Sequence, residues 1–164
     1  MNLLVYFVQI LQMNQIKNFT IRIYGIVFRE KDEILLTDEF RLGMRMTKFP
    51  GGGLEPGEGT IDCLRREFRE EMTQEIENIS HFYTTDFFQQ TRLLPEPRQI
   101  LSIYYLTSLQ HPERLKTTNK KFDFEDVDGA QTFRWAKINE LVAEDFTFPI
   151  DRVVLGMLQN NFEK

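Results

Sequence analysis

Cysteine is almost absent from the chain, because Cys63 is the only one among 164 residues and no disulfide can form within the molecule. Histidine is nearly as scarce, with only His81 and His111. A structural zinc site takes a full set of cysteine and histidine ligands, so these residues argue against one. The lone thiol favours a reducing compartment, and we expect a cytoplasmic protein.

Positive charge is also in short supply. The chain carries 20 Lys and Arg against 25 Asp and Glu, for a formal net charge of −5 at pH 7. A protein that binds nucleic acid irrespective of its sequence needs a basic surface, so we expect no DNA partner. Small phosphorylated ligands stay open, because a bound metal ion reverses the local field.

The chain has one long apolar run, MNLLVYFVQILQM at residues 1–13. It is shorter than the roughly 20 residues that cross a bilayer, and it lacks the basic segment and cleavage site of a signal peptide. We therefore expect no membrane partner. The run is interpreted as an extension ahead of a natural start at Met13, as an extra strand, or as a surface or dimer-contact segment, which leaves a homodimer open.

Hydrophobic residues make up 41% of the chain and charged residues 27%, which is typical of a globular protein. We find no internal repeat and no dividing linker, and expect a single α/β domain over residues 1–164. Alternation and helical periodicity predict strands at 19–28, 33–37, 79–89, 99–109 and 132–136, a basic connection at 41–48, a helix capped by Thr60 and ending near Gln74, and helices beginning at Ile138 and Ile150.

The stretch FPGGGLEPGEGTIDCLRREFREEMTQ, residues 49–74, joins a glycine run to an acidic helix. Glycine lets the backbone approach a ligand closely, and the run ends at a helix N-terminus, where phosphate is favoured. Neither feature helps to form a core. The stretch therefore predicts a ligand site.

On a helical wheel, an apolar stripe formed by Ile61, Leu64, Phe68 and Met72 is expected to pack on the sheet. Beside it, three carboxylates share one arc: Glu67, Glu70 and Glu71. Oxygen ligands grouped in this way suit a hard cation such as Mg²⁺. Taken alone, the acids also fit a solvated helix face with an Arg66–Glu70 pair, and it is the glycine run that favours the metal site.

The spacing of these residues resembles the Nudix box. Gly52 is followed after five residues by Glu58, and after seven more by Arg66-Glu67-Phe68-Arg69-Glu70-Glu71. Two positions depart from the box, Thr73 for glycine and Gln74 for an aliphatic residue. Since glycine usually ends this helix, Thr73 leaves open whether the helix runs on for another turn.

The resemblance implies an α/β/α sandwich with a mixed sheet and a hydrolase that cleaves the diphosphate linkage of a nucleoside diphosphate joined to another group. It implies Mg²⁺ or Mn²⁺ bound by Glu67, Glu70, Glu71 and the Gly52 carbonyl. It also implies an ion pair between Glu58 and Arg66 that fixes the loop on the helix. These five side chains are the predicted catalytic residues.

Other candidates depend on position alone. The resemblance places a further metal ligand near Glu125 or Asp126, where a solvated acidic loop is the alternative. Arg41 and Arg45 precede the glycine run, Gly51 to Gly53, and with it are candidates for substrate binding. Aromatic residues that either stack on a base or belong to the core are Phe87, Phe88, Tyr104 and Tyr105.

The small-molecule substrate is expected to be a nucleotide. The many aromatic residues and the modest acidic charge favour a sugar nucleotide such as ADP-ribose. Two alternatives stay open: a nucleoside triphosphate pyrophosphohydrolase, and a regulator of the same fold that binds a ligand without turning it over.

Overall fold

The structure is a computed structural model that describes residues 16–91 and 96–162. The N-terminal run at 1–13 lies outside the described residues. The strands are β1 (Asn18–Arg29), β2 (Glu33–Arg41), β3 (Met44–Lys48), β4 (Gly51–Gly53), β5 (Ile76–Thr84), β6 (Arg98–Leu109) and β7 (Gln131–Lys137); the α-helices are α1 (Thr60–Met72) and α2 (Pro149–Phe162), and short 3-10 turns span Pro112–Arg114, Ile138–Glu140 and Ala143–Asp145.

The strands form one mixed sheet with the order β3-β2-β1-β6-β5. Its centre is the parallel pair β1 and β6, in register from Asn18 opposite Arg98 to Val27 opposite Thr107. Strand β4 joins β1 antiparallel, and β7 joins β2 antiparallel. The glycine run is thus a short strand attached to the middle of the sheet.

The two α-helices lie on opposite faces of the sheet. Residues that alternate along β1 divide between two core clusters, because successive side chains of a strand point to opposite sides. Ile23 and Val27 belong to the cluster that contains Leu64 of α1, whereas Tyr24 belongs to the cluster that contains Val154 of α2. The predicted α/β/α sandwich with a mixed sheet is confirmed.

Helix α1 packs closely on β1 at a single glycine. A Cβ atom built on Gly25 would lie 2.5 Å from Cζ of Phe68, closer than any real contact of that kind. The Phe68 ring therefore fills the space of the missing side chain and is itself fully buried.

Several local predictions are wrong. The strand expected at 79–89 lies at Ile76–Thr84, and the helix expected from Ile138 is a 3-10 turn that ends at Glu140. Residues 41–48, expected to be a connection, form the end of β2, a tight turn and β3. The turn has positive φ at Leu42 and Gly43, the conformation that a two-residue hairpin needs. Because Leu42 stands where Asn, Asp or Gly is usual, the sequence did not indicate a hairpin turn. The N-cap of α1 is Gly59, and Thr60 is the first helical residue. The Thr60 hydroxyl instead forms a hydrogen bond with the Tyr105 hydroxyl at 2.7 Å.

The predicted stripe on α1 is correct for three of its four residues. Leu64, Phe68 and Met72 are buried, but Ile61 in the first turn is 43% exposed. Cys63 is fully buried instead, where its thiol faces the Gly53 carbonyl at 3.4 Å. The helix therefore contacts both the sheet and the glycine run.

Helix α1 ends at Met72, so it does not run on for another turn. Thr73 adopts the left-handed conformation, with φ 54° and ψ 40°, and its N–H donates to the Arg69 carbonyl. The Gln74 N–H reaches back to the Phe68 carbonyl at 3.1 Å. Thr73 thus performs the usual task of glycine at a helix end, at the cost of a conformation that β-branched residues avoid.

We expect Thr73→Gly to raise the free energy of unfolding by up to about 1 kcal/mol, because glycine adopts the left-handed conformation without the steric cost. Urea unfolding of the metal-free protein measures the change. Thr73→Ala is the control, since alanine keeps the strain. If both variants are equally stable, the strain at this position is not what limits stability.

No helix among residues 16–91 and 96–162 is long and apolar enough to cross a membrane.

Candidate active site

Arg66 holds the glycine loop against helix α1. Its guanidinium forms a two-pronged pair with Glu58, at 2.8 and 3.1 Å, and donates to the Gly53 carbonyl at 2.9 Å. The remaining nitrogen donates to Glu67 at 3.0 Å and to Glu70 at 3.1 Å. One side chain therefore joins the loop to two of the helix acids.

The pair of Glu58 and Arg66 is charged at any ordinary pH. Hydrogen bonds from Arg66 lower the pKa of the Glu58 carboxyl to about 2, and the Glu55 N–H adds a bond at 2.8 Å. Hydrogen bonding to Glu58 in turn raises the pKa of Arg66. Neither group is then suited to exchange protons during a reaction, which favours a structural role for both.

Gly52 lies directly against the carboxylate of Glu67. A Cβ atom built on Gly52 would meet Oε1 of Glu67 at 2.2 Å, so only glycine leaves room for the acid there. Gly51 has a φ of 131°, and a Cβ atom on it would meet the Ile23 carbonyl oxygen at 2.2 Å. The glycine run therefore brings backbone and carboxylate oxygens together, which side chains would prevent.

Glu71 is half-buried, and one of its two carboxylate oxygens is shielded from solvent. Burial raises the pKa of its carboxyl above the usual value, and the negative charges of Glu67 and Glu39 raise it further, while Lys48 lowers it. Its Oε2 is buried without a hydrogen-bond partner. An unpaired buried carboxylate oxygen is costly, so this atom is well placed to receive a cation.

Three charged residues from the sheet join the site, and sequence analysis missed them. Glu39 on β2 is 9% exposed, and Lys48 on β3 is 2% exposed. Arg22 on β1 donates to the Tyr24 hydroxyl at 2.6 Å, and its raised pKa reflects Tyr24 first and then Glu39 and Glu67. Only Arg22 lies inside a predicted strand; Glu39 lies just beyond the strand predicted at 33–37, and Lys48 lies in the stretch predicted to be a connection. Glu39, Glu67 and Glu71 are called the acidic cluster below.

A small cavity opens beside the acidic cluster. It is lined by Glu39, Arg41, Glu71, Gly129 and Gln131. Arg41, a predicted substrate-binding residue, therefore lies next to Glu71, as does Gln131, which also helps to lower the pKa of that acid. One cation and one amide therefore line the cavity beside Glu71.

Within the described ranges, no three cysteine, histidine or acidic side chains are already arranged around a common metal position. The protein's own cations explain this, because Arg66 holds Glu67 and Lys48 lies near Glu39. Two observations nevertheless fit a divalent ion: the unpartnered oxygen of Glu71 and the space that Gly52 leaves beside Glu67. Carboxylate and carbonyl oxygens are the ligands that Mg²⁺ and Mn²⁺ prefer.

The weaker candidates lie apart or pair with one another. Arg45 forms two bonds to Asp126, at 2.8 and 3.1 Å, on the exposed surface. Asp128 accepts the Leu42 N–H at 2.7 Å and so supports the β2–β3 turn. The backbone carbonyl of Glu125 accepts the N–H of Val127. Binding roles for Arg45, Glu125 and Asp126 stay predictions.

The four candidate aromatics separate into core and surface. Tyr104 is fully buried, stacks on Tyr24 and donates to Asp151 at 2.6 Å, so it belongs to the core. Phe87 and Phe88 are 40% and 44% exposed. Tyr105 is half-buried, and its hydroxyl bonds the Thr60 hydroxyl at 2.7 Å, so Phe87 and Phe88 are the most exposed of the four.

Comparison with known proteins gives consistent matches. The sequence model of the NUDIX domain matches residues 18–155. The nucleoside triphosphatase NudI of Klebsiella pneumoniae is 31% identical over 118 residues, which cover 66% of this chain and 77% of that protein. The NudI protein of Escherichia fergusonii is 32% identical over 98 residues, covering 58% of this chain and 64% of the relative, just under two thirds of its length.

Solved structures support the same fold. A MutT structure, from work on Aliivibrio salmonicida and Vibrio cholerae, has a TM-score of 0.59 at 19% identity and covers 88% of this chain and 99% of its own. A NUDIX hydrolase from Nitrosomonas europaea has a TM-score of 0.59 at 16% identity, with 90% and 92% covered. At these identities the likeness concerns the fold alone.

Proposed function

Because the chain belongs to the Nudix family and is a Nudix hydrolase that acts on phosphoric anhydride bonds, we propose that it hydrolyses nucleoside triphosphates with the aid of Mg²⁺ or Mn²⁺. The observation that carries the metal dependence is the contact of Gly52 with Glu67, beside the unpartnered buried oxygen of Glu71. The proposed ligands are Glu67, Glu70, Glu71 and the Gly52 carbonyl.

Each residue has a role that its surroundings support. Glu67 and Glu71 are both half-buried, so they can hold a cation away from bulk water, whereas the Glu70 side chain is 61% exposed and lies at the rim. Arg66 and Glu58 keep the loop and the helix in fixed relation. Arg41, beside the cavity, offers a positive charge to the phosphate chain.

The reaction adds one water molecule across a phosphoric anhydride. An oxygen–phosphorus bond forms from water, the bridging oxygen–phosphorus bond breaks, and a proton of the water goes to solvent, leaving a nucleoside monophosphate and pyrophosphate. A bound divalent ion supplies charge neutralisation on the phosphates and lowers the pKa of the attacking water. Burial raises the pKa of the Glu71 carboxyl, so this acid takes up a proton more readily than an exposed glutamate does.

The choice of substrate follows the relatives and one feature of the site. Both NudI relatives are described as nucleoside triphosphatases. The preference for a sugar nucleotide relied on aromatic residues, and one of them, Tyr104, is fully buried and unable to reach a base. The triphosphate is therefore the leading candidate, and ADP-ribose is the second.

A panel of substrates tests the proposal. Nucleoside and deoxynucleoside triphosphates, ADP-ribose and other sugar nucleotides are incubated with the protein and Mg²⁺, and pyrophosphate, phosphate and monophosphate are measured. We expect pyrophosphate release from triphosphates at a kcat/KM at least about tenfold above that of any sugar nucleotide, and loss of all turnover with excess EDTA. Higher efficiency with ADP-ribose overturns the substrate, and full activity in EDTA overturns the metal.

The same panel separates an enzyme from a ligand-binding regulator. A regulator of this fold would bind one nucleotide tightly and release no product from any of them. Calorimetric binding without turnover across the whole panel would favour the regulator.

A further inference from the structure

The ammonium group of Lys48 is buried at the base of the glycine run. Its side chain is 3% exposed, and Nζ donates to the Gly51 carbonyl at 2.9 Å. The same nitrogen lies 3.4 Å from Oε2 of Glu39. A buried lysine of this kind normally has a full set of acceptors, and here they are a loop carbonyl and a member of the acidic cluster.

The positive charge of Lys48 acts on Glu71, one of the proposed metal ligands. After the effects of burial, it has the largest influence on Glu71, and it opposes the repulsion that Glu67 and Glu39 exert on that acid. In the metal-free protein, Lys48 therefore partly neutralises the acidic cluster. Without it, the three carboxylates of the cluster would keep only the arginines nearby as counterions: Arg22, Arg41 and Arg66.

Carbonyl and carboxylate oxygens that hold an ammonium group are also the ligands that a hard divalent ion prefers. Two cations a few ångströms apart repel each other, and the repulsion is strong where water is excluded. Glu39, which holds the ammonium group, belongs to the same acidic cluster as the proposed ligands Glu67 and Glu71, so the two cations draw on one group of negative charges. We propose that the Lys48 ammonium competes with the divalent ion for the acidic cluster, so that this side chain sets how tightly the enzyme holds its metal.

The inference depends on the metal site of the proposed function and adds to it an internal competitor. Competition would keep the site folded and neutralised without metal. It would also weaken the resting affinity, so that the divalent ion can arrive together with the nucleotide rather than remain bound alone.

The test compares Mn²⁺ binding to the wild type and to Lys48→Met, by titration calorimetry and by the electron paramagnetic resonance signal of free Mn²⁺. Methionine keeps the length of the side chain and removes its charge. We expect Lys48→Met to bind Mn²⁺ at least about tenfold more tightly. We also expect a lower melting temperature without metal and a larger rise on adding Mn²⁺, because the freed carboxylates repel until the ion arrives.

Two further variants complete the design. Lys48→Gln retains a donor for the Gly51 carbonyl without the charge and should shift the affinity in the same direction. Lys121→Met removes a lysine that pairs with Asp145 at 3.1 Å, and it should leave Mn²⁺ affinity unchanged. If Lys48→Met does not fold alone, Mn²⁺ should restore folding at concentrations below the wild-type dissociation constant.

The outcomes are distinct. Unchanged or weaker Mn²⁺ binding in both Lys48 variants, or failure of Mn²⁺ to refold an unfolded one, overturns the competition and leaves Lys48 as a structural counterion of Glu39. Absence of Mn²⁺ binding to the wild type itself overturns the metal site of the proposed function instead.

Discussion

Gly52→Ala is expected to lower kcat/KM by about a hundredfold, the usual cost of displacing a catalytic group by roughly 1 Å. The added methyl group would lie 2.2 Å from the Glu67 carboxylate. Since that carboxylate is the far end of a flexible side chain, it can move away and the fold should survive. Steady-state kinetics with Mg²⁺ and thermal melting together measure both effects.

Gly53→Ala is the matched control for this variant. It lies in the same short strand, yet a Cβ atom built on it meets nothing within 4 Å. We expect near wild-type turnover from it. Equal activity of the two alanine variants would mean that the position of Glu67 does not matter for the reaction.

Glu71→Gln is expected to reduce turnover by about two orders of magnitude or more, because it removes a buried charge that would hold the divalent ion. The same change should stabilise the metal-free protein. Burial raises the pKa of Glu71 in the folded state above its value in the unfolded chain. The folded state then binds the proton more tightly, so stability is greatest below the unfolded pKa and falls as pH rises towards the folded one.

Melting temperatures without metal at about pH 4 and pH 8 measure this difference, which should widen with pH as Glu71 becomes charged in the wild type. Glu70→Gln serves for comparison. Glu70 is largely exposed and bonded to Arg66, so its loss should also lower turnover but leave the pH dependence of stability nearly unchanged. Wild-type rates in both variants would exclude these acids from the reaction.

The sequence predicted the ion pair between Glu58 and Arg66 that joins the loop to the helix, because these residues are close along the chain and their spacing sets the geometry. It did not predict Glu39 and Lys48, because both lie on the β2–β3 hairpin, whose turn and second strand were interpreted as a connection. Their neighbours in sequence, Asp38 and Thr47, are also buried and polar, yet bond each other at 2.6 Å and support the sheet. Only the folded sheet distinguishes the two pairs.

At the end of α1, the local sequence rules identified the unusual residue but not its conformation. Local rules identified Thr73 as an unusual residue at that position, but they did not say whether the helix would continue or the threonine would accept strain. The helix ends with Thr73 as its C-cap, in the left-handed conformation, because Ile76 lies only three residues later and is fully buried in the core. A longer helix would have moved that residue out of register.

The Phe68 ring in the space above Gly25 determines how far α1 stands from the sheet. Glu67 immediately precedes Phe68 on that helix, and its carboxylate lies against Gly52, on a strand paired with the same β1. A methyl group at position 25 would lift the helix and withdraw the acid from the loop. The missing side chain of Gly25 thus sets the distance between α1 and the sheet. Through that distance it also sets how closely the Glu67 carboxylate approaches the backbone of Gly52.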